Sequence, residues 1–111
     1  MIEQNIIDYL VEEGFDAFAE SPPNPPQEYV VVDKISERQD NTIRRASVAV
    51  QSNAETFEKA MQLNDAITDA MLNIVKLKKY GRCRLENSYP YNATQLKQYR
   101  YQSVFDIVFY R

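Results

Sequence analysis

The chain has 111 residues, of which 44% are hydrophobic and 26% charged, and its net charge is −3. This size and composition indicate one globular domain over residues 1–111, and no apolar run is long enough to cross a bilayer. The first twenty residues contain no Lys or Arg, which argues against a secretory leader and makes the cytoplasm the expected location. Because Cys83 is the single cysteine, neither an internal disulfide nor a thiolate metal cluster is expected.

Charge is distributed unevenly along the chain. Residues 1–33 contain eight acidic residues and no basic residue, whereas residues 34–111 contain eight acidic and thirteen basic residues. Two interpretations are open at this point. The charges either form solvated faces that keep the protein soluble, or they form complementary surfaces that meet in an assembly.

The first half of the chain predicts one helix and a hairpin. Apolar residues three and four positions apart predict an amphipathic helix over residues 2–19, with its carboxylates towards solvent. The proline-rich segment Ser21–Pro26 predicts a stiff, extended connector. Strands are predicted at Tyr29–Val32 and Thr42–Ser52, with a polar turn region at Glu37–Asn41 between them.

A second, longer helix is predicted over residues 53–77. Ser52 and Glu55 have the spacing of a capping box at its start, and Gly81 is a candidate for a left-handed cap at its end. Its apolar stripe contains one polar residue, Asn64, which we expect to be a satisfied group near the core, with the backbone as its expected partner.

The remaining residues predict two more strands. Arg82–Asn87 and Tyr99–Tyr110 alternate between apolar and polar residues, and Ser88–Gln98 is predicted to be a loop. The element order is therefore α-β-β-α-β-β. It favours an α+β fold in which two helices pack on one face of a four-stranded antiparallel or mixed sheet.

The residue types offer little for catalysis. The chain has no histidine and only two glycines, which argues against a histidine-based triad and a glycine-rich phosphate loop. Cys83 is predicted to be a half-buried packing residue, although neighbouring arginines would lower its pKa if they were close. The eight tyrosines and the arginines suit nucleic acid, but the acidic first third argues against that partner. We therefore expect no enzymatic activity, cofactor or bound metal.

Two segments resemble a known group of proteins. The segment "IRRASVAVQSNAETFEKAMQLNDAITDAML", Ile43–Leu72, resembles the central block of the tail-completion proteins of long-tailed phages and prophages. The segment "RYQSVFDIVFY", Arg100–Tyr110, resembles their closing strand. Tail terminators and the neighbouring head–tail connector proteins both remain open as the subgroup.

This resemblance implies a structural protein of the virion tail or neck, assembled in the host cytoplasm. Tail terminators form a ring, usually a hexamer, that stops polymerisation of the tail tube and joins tail to head. The implied partners are further copies of the chain, the tail tube protein and the head connector protein, and the free chain can be a monomer. An alternative is a small, non-enzymatic adaptor or regulatory module that binds another protein.

Charged and aromatic residues outside the predicted core are the candidates for contacts in such an assembly. Tyrosine and arginine are enriched where protein interfaces gain most of their affinity. The predicted interface residues are Glu12, Glu13, Arg38, Asp40, Arg44, Arg45, Arg82, Arg84, Tyr89 and Tyr91. In this hypothesis the acidic first helix of one subunit meets a basic surface of its neighbour.

Overall fold

The computed structural model describes residues 2–40, 42–90 and 98–110, with Asp40 described by its backbone alone. The helices are α1 (Ile2–Glu12) and α2 (Phe57–Leu72), and a 3₁₀ turn, Asn73–Lys76, continues from α2. The strands are β1 (Ala17–Phe18), β2 (Tyr29–Asp40), β3 (Ile43–Ala54), β4 (Tyr80–Pro90) and β5 (Tyr99–Tyr110).

The strands form one mixed sheet in the order β1-β2-β3-β5-β4. β1 pairs with β2 in parallel, and the other three pairings are antiparallel. The predicted α+β class is therefore confirmed, and the predicted bounds of the last strand are those observed. The predicted count of four strands is wrong, because the two-residue strand β1 adds a fifth.

β1 exists because α1 ends earlier than its apolar spacing predicts. Gly14 adopts φ 99°, in the left-handed region that glycine tolerates best. The Gly14 N–H donates to the Val11 carbonyl and the Phe15 N–H to the Leu10 carbonyl, both at 3.0 Å, which is the Schellman pattern of a helix C-terminus. The predicted helix over residues 2–19 therefore stops at Glu12, and the chain turns to lie beside β2.

Both hairpins are longer than the sequence predicts. Glu37–Asp40 was predicted to lie in a turn but continues β2 and pairs with β3. Likewise, Ser88–Pro90 was predicted to lie in a loop but continues β4. Pairing with a neighbouring strand stabilises these polar segments, although they lack an apolar pattern of their own. Asn41 and residues 91–97 of the predicted turn and loop lie outside the described residues.

The predicted capping box at the start of α2 is wrong. Ser52 and Asn53 remain in β3, where the Ser52 side chain is fully buried, and its hydroxyl has no partner among the described residues. Thr56 caps α2 instead, because its side-chain hydroxyl accepts from the Lys59 N–H at 3.2 Å. Only Glu55 and Thr56 separate β3 from α2, and α2 folds back over β3, β5 and β4.

The end of α2 also differs from the prediction. α2 stops at Leu72, and Gly81 is the second residue of β4 rather than a left-handed cap. A Cβ atom at Gly81 would lie 2.7 Å from the Tyr110 hydroxyl, so the absence of a side chain lets β5 approach β4 closely.

The core lies between the sheet and both helices, as predicted. Four apolar residues of α1 and three of α2 join the buried residues of β2, β3 and β5 in one cluster. Its largest fully buried side chains include Phe105, Ile6, Leu10, Ile67 and Met71. Tyr9 ties the two helices together, because its hydroxyl donates to the Ala70 carbonyl at 2.7 Å.

Asn64 is a satisfied polar group at the edge of this core, but its partners are hydroxyls rather than backbone. It accepts from the Ser103 hydroxyl at 2.6 Å and donates to the Ser88 hydroxyl at 3.2 Å. The two hydroxyls are 3.0 Å apart. These three side chains form a closed hydrogen-bonded triad that joins α2 to β4 and β5.

Candidate functional site

The face of the sheet away from the helices, termed the open face, carries most of the predicted basic interface residues. Side chains alternate across a sheet, so residues out of phase with buried Val48, Val50, Phe105 and Ile107 belong to this face. A β-bulge between Lys34 and Ser36 inserts one residue into β2 and resets its alternation. As a result, Ser36 and Arg38 fall on the open face.

Three arginines lie at one level of the open face. Strand register places Arg38 opposite Arg45, Arg45 opposite Val108, and Val108 opposite Arg82. This row of four residues, one from each long strand, is termed the arginine row. Its three arginines are exposed, and none of them forms an ion pair with another described residue.

The adjacent row contains a fourth arginine and a carboxylate. Here register places Ser36 opposite Ser47, Ser47 opposite Asp106, and Asp106 opposite Arg84. Arg84 lies 2.9 Å from a Glu86 carboxylate oxygen and 3.9 Å from one of Asp106. These carboxylates raise the pKa of Arg84, with the hydrogen bond to Glu86 as the largest cause.

A shallow depression of about 330 Å³ joins the two rows. Its lining comes from the bulged part of β2, the facing part of β3, and Asp106. Its charged lining residues are Arg38, Arg45, Glu37 and Asp106, so two basic and two acidic residues balance one another beside the small hydroxyls of Ser36 and Ser47.

The predicted acidic residues lie on the opposite side of the molecule. Glu12 is the last residue of α1 and Glu13 follows it, and both are exposed. Asp8 and Asp16 are exposed nearby in the chain, and Val11 between them is 53% exposed. These four carboxylates and Val11 are termed the acidic surface of α1.

The remaining predicted interface residues are not all brought together. Arg44 alternates with Arg45, so it lies on the helix-covered side, where it forms a 3.5 Å ion pair with Glu37. The alternation set by Val48 and Val50 is the sequence signal that separates the two arginines. Tyr89 is half-buried on the open face and accepts a hydrogen bond from Gln102. The Asp40 side chain and Tyr91 lie outside the described residues.

Sequence reasoning did not select Asp106 as an interface residue. It is half-buried within the basic region of the open face, and its carboxylate is the nearest counter-charge to Arg84 there after Glu86. The sequence does contain a signal for it. Asp106 lies between the apolar residues Phe105 and Ile107 of β5, so alternation places it on the opposite face of the strand from theirs.

Cys83 is half-buried against the core, as predicted. Burial, with a smaller contribution from the Asp106 carboxylate, raises the pKa of its thiol to about 12. A thiol with so high a pKa is almost entirely protonated at neutral pH and is a poor nucleophile. The suggestion that adjacent arginines lower its pKa is therefore wrong, because Arg82 and Arg84 project to the opposite face.

Within residues 2–40, 42–90 and 98–110, no group of three or more His, Cys, Asp or Glu residues is arranged to hold a metal ion. No helix in this part of the chain is both long and apolar enough to span a membrane. The described residues thus present two charged surfaces: an open face with a basic region, and an acidic helix on the other side.

Comparison with known proteins gives a structural match. No protein-family model matches the chain, and no curated protein matches it. Among solved structures, a chain of the "Virion of native gene transfer agent (GTA) particle" has a similar fold, with a TM-score of 0.66 and 16% sequence identity. The alignment covers 93% of this chain and 84% of that one. The two chains therefore share the fold over nearly their whole lengths.

Proposed function

We propose that this chain is a structural protein of a virion, and that it acts as a tail-completion protein of the tail terminator or head–tail connector type. The observation that carries the proposal is the fold shared with a chain of a virion particle over 93% of this sequence. The two segments that resemble tail-completion proteins, Ile43–Leu72 and Arg100–Tyr110, contribute β3, α2 and β5 of that shared fold.

The distribution of charge supports an assembly role. The acidic surface of α1 and the arginine row lie on opposite sides of the sheet, so they cannot meet within one molecule. In a ring built head-to-tail, each subunit offers one surface to one neighbour and a different surface to the other neighbour. A subunit with an acidic surface on one side and a basic surface on the other is suited to such packing. We propose that the chain forms a ring, hexameric in the tail-completion group, on the end of a tail tube.

The chemistry of the described residues also fits a structural role better than an enzymatic one. Cys83 has a raised pKa, and the two most buried polar side chains of the triad, Asn64 and Ser103, are engaged with each other. We propose that the chain is not an enzyme, and that its partners are further copies of itself, the tail tube protein and the head connector protein.

A capping experiment tests this proposal. Purified tail tubes with open ends are incubated with the chain, and further tube protein is then added. Capped tubes should stop growing, and negative-stain images should show a ring at one end of each tube. Tube growth at the same rate with and without an excess of the chain would contradict the tail terminator assignment. If a head connector complex binds the chain in that case, the connector assignment would stand instead.

The alternative function, a small adaptor, makes a different prediction. An adaptor binds its partner with a fixed stoichiometry, and it does not need to form a closed ring of its own copies. Mass photometry at rising protein concentration separates the two, because only the ring gives a single closed oligomer whose mass stays constant once it is formed.

A further inference from the structure

We infer that the arginine row of the open face is a docking surface for the acidic surface of α1 of a second copy of this chain. This inference rests on the proposed function and deepens it, because it names the two surfaces that meet. It keeps Arg38, Arg45 and Arg82 of the predicted interface residues and leaves out Arg44, since Arg44 lies on the helix-covered side in an ion pair with Glu37.

The arginine row places like charges close together and so destabilises the free subunit. Arg38 and Arg45 occupy directly opposite positions on adjacent antiparallel strands. Like charges in that position repel one another and destabilise a sheet. No ion pair joins these two arginines to a side chain that the structure describes. An anionic partner placed over the row would remove the repulsion and gain favourable contacts with both groups.

The second argument identifies the partner as another copy. The chain itself carries an acidic surface, with Asp8, Glu12, Glu13 and Asp16 exposed on or beside α1. Since α1 packs on the other face of the sheet, this surface cannot reach the arginine row of its own molecule. Within one molecule the basic residue that lines a depression with Asp8 and Glu12 is Lys79. The acidic surface can meet the arginine row only between molecules, and that contact recurs at every copy in a head-to-tail arrangement.

The third argument is that each surface has an apolar residue among its charges. Val11 is 53% exposed and adjoins Glu12 in the chain, and half-buried Val108 lies between Arg45 and Arg82 in the arginine row. Exposed ion pairs contribute little individually to affinity. An apolar contact between Val11 and Val108, surrounded by charge pairs, has the arrangement of an interface with a dry centre and a polar rim.

Charge reversal on each surface provides the test. One variant carries Arg38→Glu and Arg45→Glu, and another carries Glu12→Lys and Glu13→Lys. Self-association is measured by sedimentation velocity over a range of protein concentrations at low and high salt. Each variant alone should associate about tenfold more weakly than the natural chain, since two contacts become repulsive. Salt should weaken association of the natural chain, because these charges are exposed.

An equimolar mixture of the two variants is the decisive sample. The variant reversed in the arginine row keeps the natural acidic surface of α1 and carries two glutamates beside Arg82. The variant reversed in α1 keeps the natural arginine row and carries two lysines that offset Asp8 and Asp16. The mixture should therefore associate more strongly than either variant alone, because only the mixture contains both an intact acidic surface and an intact arginine row. A variant with Lys34→Glu and Lys59→Glu is the matched control, because it changes the net charge equally at exposed cations that belong to neither surface. It should associate like the natural chain.

Thermal melting of every variant checks that the fold is retained. If the mixture associates no better than its components, or if the natural chain stays monomeric at all concentrations, the inference is overturned. Loss of binding to a short DNA duplex in the arginine variant, with self-association unchanged, would also overturn it and assign the row to a polyanion instead.

The tube-capping assay separates this inference from the proposed function. If the mixture associates but never caps tail tubes, the docking surface stands and the tail-completion function fails. If the arginine variant caps tubes as well as the natural chain does, the function stands and the docking surface fails.

Discussion

Replacement of Asn64 by alanine tests how the buried triad holds α2 on the sheet. Ser103 is fully buried, so water cannot replace Asn64 as its partner, whereas Ser88 is exposed and can bind water instead. Asn64→Ala removes an acceptor 2.6 Å from the Ser103 hydroxyl and a donor 3.2 Å from the Ser88 hydroxyl. We expect the variant to fold but to be less stable.

The size of the effect follows from the two lost hydrogen bonds. A hydrogen bond contributes about 0.5–1.5 kcal/mol net, and an unsatisfied buried group costs about 1–3 kcal/mol. Ser103 keeps one partner, because the Ser88 hydroxyl lies 3.0 Å away. The expected loss is therefore about 2 kcal/mol in the free energy of unfolding. For a chain of this length, that corresponds to a fall of roughly 8 °C in Tm.

Chemical denaturation and a double-mutant cycle provide the measurement. Asn64→Ala, Ser103→Ala and the double variant are unfolded in urea, with Gln62→Ala at an exposed position of α2 as the control. The cycle should give a coupling energy of about 1 kcal/mol between Asn64 and Ser103. A loss below about 0.5 kcal/mol for Asn64→Ala, equal to that of the control, would refute the reasoning that the triad stabilises the fold.

Three further predictions concern the stability of the fold. Thr56→Ala should lower the free energy of unfolding by about 1 kcal/mol, because Thr56 caps α2, whereas Ser52→Ala should change it little. If urea denaturation shows a larger loss for Ser52→Ala than for Thr56→Ala, Ser52 is the cap, as the sequence predicts. Removal of residues 105–111 should unfold the chain, because β5 lies between β3 and β4 and loses three buried apolar residues worth about 1.5–3 kcal/mol each; a soluble truncated chain with a cooperative thermal melt would contradict this. Burial raises the pKa of Cys83, so folding stability should be fully present below about pH 8.5, the usual pKa of an unfolded thiol, and should decline as pH rises towards the folded value of about 12. Cys83→Ala should make that decline shallower in urea titrations between pH 8 and 10, and equal slopes for the two chains would show that the thiol is not the cause.

The elements with a strong repeating pattern could be predicted from sequence. The alternation of Tyr99–Tyr110 predicted the observed bounds of β5. The apolar stripes of both helices predicted most of the residues that pack on the sheet, but Val11, Phe57, Met61 and Val75 of these stripes are exposed. These predictions succeed because the spacing of apolar residues along a short segment indicates which of its side chains are buried. The grouping of both helices on one face followed, since each helix has a single apolar stripe and the sheet is its only available cover.

The ends of elements were predicted less well, because competing local signals had similar strengths. Ser52 and Thr56 both offer a capping hydroxyl, and pairing of β3 with β2 and β5 keeps Ser52 in the sheet and leaves the cap to Thr56. In the same way, Gly14 could continue α1 or end it. Its left-handed conformation lets the chain turn so that Ala17 and Phe18 pair with β2, a contact with residues more than ten positions away.

The sequence by itself determined that this protein has an acidic first third, a basic remainder and no histidine, and these facts define which chemistry its surfaces can offer. Only the tertiary structure decided which charges share a surface. The bulge before Ser36 turns Arg38 to the side of Arg45, and the register of β4 brings Arg82 to the same level, while Arg44 is left on the other face. Strand register and bulges depend on pairing between distant segments, so local periodicity cannot specify them, and the arginine row exists only once the four long strands are aligned.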